Sequence, residues 1–134
     1  MKPMKHPELA QYIDHTLLRP DATPDEVKKL CAEAKDYGFA SVCVNPSMIE
    51  LAAKELAGSG VAPCCVIGFP FGSHTVRAKA EETKEAVKLG AKEVDMVVNL
   101  GAVKAHNWRL IQKEVVEVIK ATHHLAKVKV ILET

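Results

Sequence analysis

Short apolar segments alternate with amphipathic segments along the chain, and this alternation predicts strands separated by helices. The predicted strands cover residues 12–17, 40–44, 62–67, 93–98 and 127–132. Between them, the spacing of apolar residues predicts helices over 23–38, 47–57 and 74–89 and within 107–124. Four strand-helix units followed by one more strand predict a parallel sheet with right-handed crossover connections.

The first long helix has clear start and end signals. Thr23 can cap it, Pro24 suits its first turn, and Glu26 completes a capping box. Gly38 is the residue type that commonly ends a helix. One face is apolar at helical spacing and is expected to face the core, at Val27, Leu30, Cys31 and Ala34.

Two architectures fit this order of elements. An open doubly wound sheet, such as the flavodoxin-like fold, would be complete with five strands, whereas a (β/α)₈ barrel would be about half present. The usual glycine-rich nucleotide-binding motifs do not follow the first strand. Polar residues instead occur at or near the ends of several strands, at Asp14, Thr16, Asn45, Ser73, Asp95, Asn99, Glu133 and Thr134. This distribution favours a truncated half barrel of the TIM-barrel family, an α/β protein with one domain over residues 1–134.

Asp95 lies inside an otherwise apolar strand, between Val94 and Met96. A nearly continuous apolar strand is usually buried on both faces of a parallel sheet, where an uncompensated carboxylate is costly. Such an acid is either a functional group with a shifted pKa or a structural acid paired with a buried base or with backbone N–H groups. The sequence context alone leaves both interpretations open.

Alternation along the strands assigns the polar residues to one face of the sheet. Asp14 shares a face with Thr16, Cys43 with Asn45, Asp95 with Val97 and Asn99, and Lys129 with Ile131 and Glu133. The opposite face is mostly apolar and is expected to pack on the helices. Asp95 and Lys129, on neighbouring strands, can therefore meet as acid and base in the interior. The alternative for Lys129 is a lysine near a strand start that extends to solvent.

Composition excludes several classes of protein. The chain has 134 residues with 48% hydrophobic residues, enough for one domain with a real core. A net charge of +1, spread along the chain, argues against nucleic acid as a main partner. No apolar run is long enough for a membrane span, and residues 1–7 lack a secretory signal, so no membrane partner and a cytoplasmic location are expected.

The cysteines and histidines do not form a recognisable metal motif. Cys31, Cys43, Cys64 and Cys65 lie in apolar contexts without C-x-x-C spacing, so free buried thiols are expected. The histidines lack H-E-x-x-H or paired Cys/His spacing, and His123 and His124 are expected at a solvated helix end. The sequence therefore predicts no metal site.

Five motifs, in order, resemble deoxyribose-phosphate aldolases. They are IDHTLL at 13–18, VCVNP at 42–46, VIGFPFG at 66–72, EVDMVVN at 93–99 and KVKVILET at 127–134. The resemblance implies a class I aldolase on a (β/α)₈ barrel that reversibly cleaves 2-deoxy-D-ribose 5-phosphate to acetaldehyde and D-glyceraldehyde 3-phosphate through a lysine Schiff base. It also implies that no metal or other cofactor is needed.

The resemblance assigns roles to five residues of this chain. Asp95 matches the family's proton-transferring aspartate, acting through a water relay and paired with a lysine. Asp14 and Thr16 match pocket residues of the first strand, and Cys43 matches a position near the substrate. Lys129 matches a lysine on the fifth strand, close to the aspartate.

The chain departs from the family pattern because it stops at Thr134. In the family, the Schiff-base lysine lies in a Val-Lys-Thr-Ser-Thr-Gly-like motif on the sixth strand, and a second catalytic lysine and the phosphate-binding residues come later. The chain is therefore expected to be inactive alone. Its strand edges and interior face are expected to promote homo-oligomers, for example a two-chain pseudo-barrel with the fifth strand displaced or disordered. The alternatives are a non-catalytic βα fragment or a small-molecule binding module with an open five-stranded sheet, and, less favoured, a different barrel lyase or isomerase.

Overall fold

A computed structural model describes residues 7–134, in which strands and helices alternate. The strands are β1 (Asp14–Leu17), β2 (Ser41–Val44), β3 (Ala62–Ile67), β4 (Glu93–Val97) and β5 (Lys127–Ile131). The helices are α1 (Pro7–Ala10), α2 (Pro24–Tyr37), α3 (Ile49–Glu55), α4 (Val76–Lys88), α5 (Leu100–Lys104) and α6 (Trp108–Ala121). Within residues 7–134, no helix is both long and apolar enough to cross a membrane. The interpretation of the N-terminal segment as lacking a secretory signal falls mainly on residues 1–6, which lie outside the described residues.

The strand order distinguishes between the two architectures. The five strands form one sheet in the order β1-β2-β3-β4-β5, and every neighbouring pair is parallel. A doubly wound sheet reverses its strand order at a switch point, and this sheet has no reversal. Consecutive parallel strands joined by helices are the arrangement of a (β/α)₈ barrel, so the prediction of a partial barrel is confirmed.

The two faces of the sheet have different neighbours. One continuous core joins the outward strand residues Val42, Cys65, Ile67, Val94 and Met96 to apolar residues of α2, α3, α4 and α6. A smaller cluster forms on the other face from Cys43, Cys64 and Val66, with Leu18, Phe69 and Ile131 packed against it. Because α2, α3, α4 and α6 all pack on one face of the sheet, the other face is the interior of the partial barrel.

The fifth strand lies in the sheet. β5 pairs with β4 over five residues, from Glu93 opposite Lys127 to Val97 opposite Ile131. The expectation that this strand is displaced or disordered concerns a two-chain pseudo-barrel and stays a prediction.

Several element boundaries differ from the predicted ones because local capping overrides the apolar pattern. Thr75 accepts a hydrogen bond from the Ala78 N–H and caps α4, so this helix begins after the predicted residue 74. A short 3-10 turn, Pro46–Met48, precedes α3. The short helices α1 and α5 are not predicted at all, and Asn99 caps α5 through the Ala102 N–H. The capping box of α2 and its left-handed end at Gly38 are confirmed.

A buried ion pair ties two helices to the end of β4. The Nζ of Lys79 on α4 donates to Oε2 of Glu114 on α6 and to the Val97 carbonyl, each at 2.8 Å. The other oxygen of Glu114 accepts the Asn99 N–H at 2.8 Å. The Lys79 and Glu114 side chains are 0% and 1% exposed. The pair therefore fixes the position at which β4, which carries Asp95, leaves the sheet.

Candidate active site

The register of the sheet brings the predicted polar residues onto the interior face. Asp95 on β4 lies opposite Lys129 on β5, and Asp14 on β1 lies opposite Ser41 on β2. The predicted meeting of Asp95 and Lys129 as acid and base is present as an ion pair at 3.4 Å between Nζ and Oδ1. Lys129 does not simply extend to solvent, because its Nζ contacts the carboxylate of Asp95.

Lys129 lies at the centre of three carboxylates. Its Nζ donates to Oδ2 of Asp14 at 2.6 Å and is 3.4 Å from Oε2 of Glu93, in addition to the contact with Asp95. The Asp14 contact joins β1 to β5, the two edge strands of the sheet. The ammonium group therefore holds the two edges together across the interior of the partial barrel.

The cluster shifts the pKa values of its members in different directions. Burial works against the ammonium of Lys129, but the hydrogen bond to Asp14 and the charge of Asp95 outweigh it and raise the pKa of Lys129. Burial also works against ionised Asp14, but hydrogen bonds from Lys129 and Ser41 outweigh it and lower the pKa of Asp14. The Ser41 hydroxyl donates to Oδ1 of Asp14 at 2.6 Å. Lys129 and Asp14 are therefore held as a charged pair.

Asp95 differs from Asp14 because burial dominates its environment. Burial raises the pKa of Asp95, and the charge of Lys129 offsets this only in part. The residue is 9% exposed. Its Oδ1 accepts no hydrogen bond from the described part of the chain. A buried carboxyl with a raised pKa and an acceptor oxygen that accepts no hydrogen bond can take up and release a proton during a reaction.

Two thiols lie beside Asp95. Cys43 on β2 is the register partner of Cys64 on β3, and their Sγ atoms and a carboxylate oxygen of Asp95 all lie within 4.8 Å of one another. Both cysteines are free and buried, as predicted. Contact with the Cys43 thiol and burial raise the pKa of Cys64. Cys65, the next residue, points into the opposite core.

Thr16 and Asn45 lie on the predicted strands but outside the carboxylate cluster. The Thr16 hydroxyl donates to the Asp14 carbonyl at 2.7 Å, and the residue is exposed. The Asn45 amide donates to the Leu18 carbonyl at 3.0 Å and so fixes the loop after β1. Thr16 therefore contacts the backbone of a site residue rather than the charged groups themselves.

Three residues of the site were not singled out by the sequence reasoning. Glu93 contacts Lys129, Ser41 contacts Asp14, and Cys64 lies beside Cys43 and Asp95. Strand alternation could have predicted that Glu93 and Ser41 face the interior, since Glu93 is two residues before Asp95 and Ser41 is two residues before Cys43. For Cys64, the decisive information is the register between β2 and β3.

A groove of about 480 Å³ lies away from this cluster, between α4 and α6. It is lined by charged side chains of both helices, including Arg77, Lys84, Lys113 and Glu117. Because these helices cover the other face of the sheet, the groove is separate from Asp95 and Lys129. The candidate active site is therefore the open interior face rather than this groove.

Comparison with known proteins gives one consistent result. The family model described as DeoC/LacD family aldolase matches residues 8–134. A deoxyribose-phosphate aldolase from Clostridium tetani is 52% identical over 127 residues, which cover 95% of this chain and 59% of that protein. The corresponding protein of Bacillus cereus is 52% identical over 126 residues and is covered to 56%.

A solved structure has the same fold. The deoxyribose phosphate aldolase of Aeropyrum pernix, described as a unique tetrameric structure, superposes with a TM-score of 0.84 at 37% identity. The match covers 95% of this chain and 53% of that one. The chain thus spans a little over half the length of the relatives that it matches.

Proposed function

Because the chain belongs to the DeoC/LacD family of aldolases, we propose that it forms the N-terminal part of a class I aldolase that cleaves 2-deoxy-D-ribose 5-phosphate. Family membership confirms the resemblance read from the five motifs. The products are acetaldehyde and D-glyceraldehyde 3-phosphate. In this reaction a lysine amine forms a Schiff base with the substrate carbonyl carbon, and the iminium accepts the electrons released when the carbon–carbon bond breaks.

The observation that carries the proposal is the position of Asp95 beside Lys129 on the interior face. Cleavage requires a base that removes the proton of the substrate hydroxyl as the bond breaks. Asp95 suits this task because burial raises its pKa and its Oδ1, which accepts no hydrogen bond from the described residues, can accept a proton directly or through one water. Lys129, 3.4 Å away, favours the ionised form that must act as the base.

Lys129 itself is poorly suited to be the Schiff-base nucleophile. A nucleophilic lysine must present a neutral amine at working pH. Here burial works against the Lys129 ammonium, but the hydrogen bond to Asp14 and the charge of Asp95 outweigh it and raise the pKa of Lys129, so the neutral amine is scarce. We therefore assign Lys129 an electrostatic role, with Asp14 as its fixed partner, and assign the nucleophile to the part of the barrel that relatives have beyond residue 134.

A chimeric barrel tests the proposal. Residues 1–134 are joined to the remaining C-terminal part of the Clostridium tetani relative, and cleavage of 2-deoxy-D-ribose 5-phosphate is followed by the release of acetaldehyde. The chimera is expected to be active, and Asp95→Asn is expected to lower kcat by about 10²- to 10⁴-fold, the usual contribution of a positioned acid or base.

Cys65→Ser is the matched control, because Cys65 is buried on the same sheet but faces the helices. It should leave kcat within a few-fold of the unaltered chimera. A folded Asp95→Asn chimera that retains full kcat would show that Asp95 does not transfer the proton.

For the 134-residue chain alone, we propose negligible aldolase activity and self-association. The described sheet ends in β1 and β5, each with one hydrogen-bonded neighbour, and Tyr12 and Leu132 near those edges are 84% and 60% exposed. Unpaired edges and exposed apolar side chains favour association. Light scattering at micromolar concentration should show dimers or larger species, and a stable monomer would contradict this. A monomer without carbonyl chemistry would instead favour the small-molecule binding module.

A further inference from the structure

We propose that Cys43, Cys64 and Asp95 form a binding site for a thiolate-binding divalent cation such as Zn²⁺. The sequence alone predicts no metal site, since the three residues are scattered over 53 positions and match no ligand motif. The site is created only by the pairing of β2, β3 and β4. The inference does not rest on the proposed function, because it concerns the affinity of the chain itself for a metal ion.

The geometry of the three groups suits tetrahedral coordination. Their ligand atoms lie within 4.8 Å of one another. Zinc–sulfur bonds of about 2.3 Å at tetrahedral angles place two sulfur ligands about 3.8 Å apart. Adjustments of the side chains by less than about 1 Å would bring the ligand atoms to that spacing. Thiolate ligands with one carboxylate are a donor set that favours Zn²⁺ over Mg²⁺ or Ca²⁺.

The buried carboxyl of Asp95 is incompletely hydrogen-bonded at the same place. Asp95 is 9% exposed, and its Oδ1 lies 3.4 Å from Nζ of Lys129 but accepts no hydrogen bond from residues 7–134. A buried oxygen without a hydrogen bond is uncommon in folded proteins and leaves room for a further ligand. A cation bound by the two thiolates would be placed to satisfy this carboxylate.

The surrounding charges favour a cation. Three carboxylates, of Asp14, Glu93 and Asp95, surround the ammonium of Lys129, so negative charge is in excess. Asp14 takes the shortest contact with Lys129, at 2.6 Å, which leaves Asp95 at 3.4 Å less tightly held and able to turn toward the thiols. Metal binding would displace the thiol protons and release them to solvent.

The site lies just beneath the open interior face. Cys43 and Cys64 are 3% and 0% exposed, whereas Thr16, the register partner of Cys43 on β1, is exposed. This side of the sheet lacks the helical cover of the other face. A water molecule from the open interior can take the fourth coordination position, as in zinc sites that keep one ligand exchangeable.

Titration of the reduced 134-residue chain with Cd²⁺ tests the site. Cd²⁺ shares the ligand preference of Zn²⁺, and its bonds to thiolates give an ultraviolet charge-transfer absorption that carboxylate or imidazole ligands do not give. We expect this absorption to saturate at one Cd²⁺ per chain and to be reversed by competition with Zn²⁺. Cys43→Ser and Cys64→Ser should each weaken Cd²⁺ binding by more than about 100-fold. Substitution of a residue that only hydrogen-bonds to a metal ligand already lowers metal affinity about 10- to 100-fold, and loss of a ligand should cost more.

Cys65→Ser is the matched control. It removes a buried thiol next in sequence to Cys64 but on the other face, so affinity should stay within a few-fold of the unaltered chain. Asp95→Asn should weaken binding by at least about tenfold, since it removes a charged ligand, while keeping the charge-transfer absorption of the two thiolates. Saturation without the absorption, equal affinity in the Cys64→Ser chain, or loss of binding in a folded Cys65→Ser chain would each overturn the proposal.

A second measurement on the unaltered chain covers the case in which a variant fails to fold. Bound Cd²⁺ should slow the alkylation of Cys43 and Cys64, located by peptide mass mapping, and leave the rates at Cys31 and Cys65 unchanged. Equal alkylation rates with and without saturating Cd²⁺ would contradict the assignment of these two thiols as ligands.

Discussion

Replacing Lys79 by methionine should strongly destabilise the fold. The substitution keeps most of the side-chain volume but removes the ammonium that bridges the Glu114 carboxylate and the Val97 carbonyl, each at 2.8 Å. Glu114, 1% exposed, would keep only the Asn99 N–H as a partner. Breaking one side of a fully buried ion pair in this way costs about 3–5 kcal/mol of unfolding free energy.

The assay is urea denaturation followed by circular dichroism, with the unfolding free energy obtained by linear extrapolation. The matched control is Lys84→Met on the same helix, where the lysine is half-exposed and pairs with Glu81 at the surface. The control should be nearly neutral, because exposed ion pairs contribute little. The double variant Lys79→Met with Glu114→Leu should lose less than Lys79→Met alone, since it leaves no unpaired buried charge.

Two results would refute this reasoning. One is a loss below about 1 kcal/mol for Lys79→Met, no larger than that of a typical substitution. The other is a double variant that is less stable than Lys79→Met. If Lys79→Met does not fold, recovery of folding in the double variant serves as the same test.

Two further predictions concern the loop after β3 and the site carboxylate Asp14. Gly72→Ala should destabilise the chain more than Gly38→Ala. Both glycines have positive φ, which costs about 1–2 kcal/mol for alanine. Of the two, only Gly72 is placed so that an added Cβ would clash with the Val98 carbonyl and approach Val97 to 2.8 Å. Equal urea midpoints for the two variants would contradict this. Asp14→Asn should lower the unfolding free energy at neutral pH. Lys129 and Ser41 lower the pKa of Asp14 in the folded state, so the ionised carboxylate stabilises the fold above pH 3.8 and this contribution is lost when Asp14 is protonated. The difference in unfolding free energy between the unaltered chain and the variant should therefore shrink as pH falls below 3.8. Urea midpoints measured across this pH range test the prediction. A stability difference that stays constant or grows in acid would contradict it.

The fold could be predicted largely from the sequence because periodicity determines it. Strand alternation placed Asp95 and Lys129 on one face before their register was known, since a two-residue period fixes the face of each side chain. The strand order was not predictable from periodicity, so the sequence was also compatible with a doubly wound sheet. The family motifs favoured the barrel, and the sequential order of strands confirms it.

The parts that the sequence did not reveal depend on contacts between elements. The Lys79–Glu114 pair joins residues 35 positions apart on two helices, and each residue alone resembles an ordinary charged surface position. The grouping of Cys43 with Cys64 requires the β2–β3 register, which sequence spacing does not encode. The helix α5 is only five residues long, too short for a helical period to emerge.

The central proposal is that this chain supplies the acid–lysine cluster of an aldolase but not its nucleophile. Borohydride trapping with acetaldehyde, read by intact mass and peptide mapping, tests it most directly on the 134-residue chain and on the chimeric barrel. The account predicts no stoichiometric adduct on the chain alone and one adduct on the chimera, at a lysine of its C-terminal part. A stoichiometric adduct on Lys129 of the chain alone would contradict the account, because it would make that residue the nucleophile rather than the cation that pairs with Asp14 and Asp95.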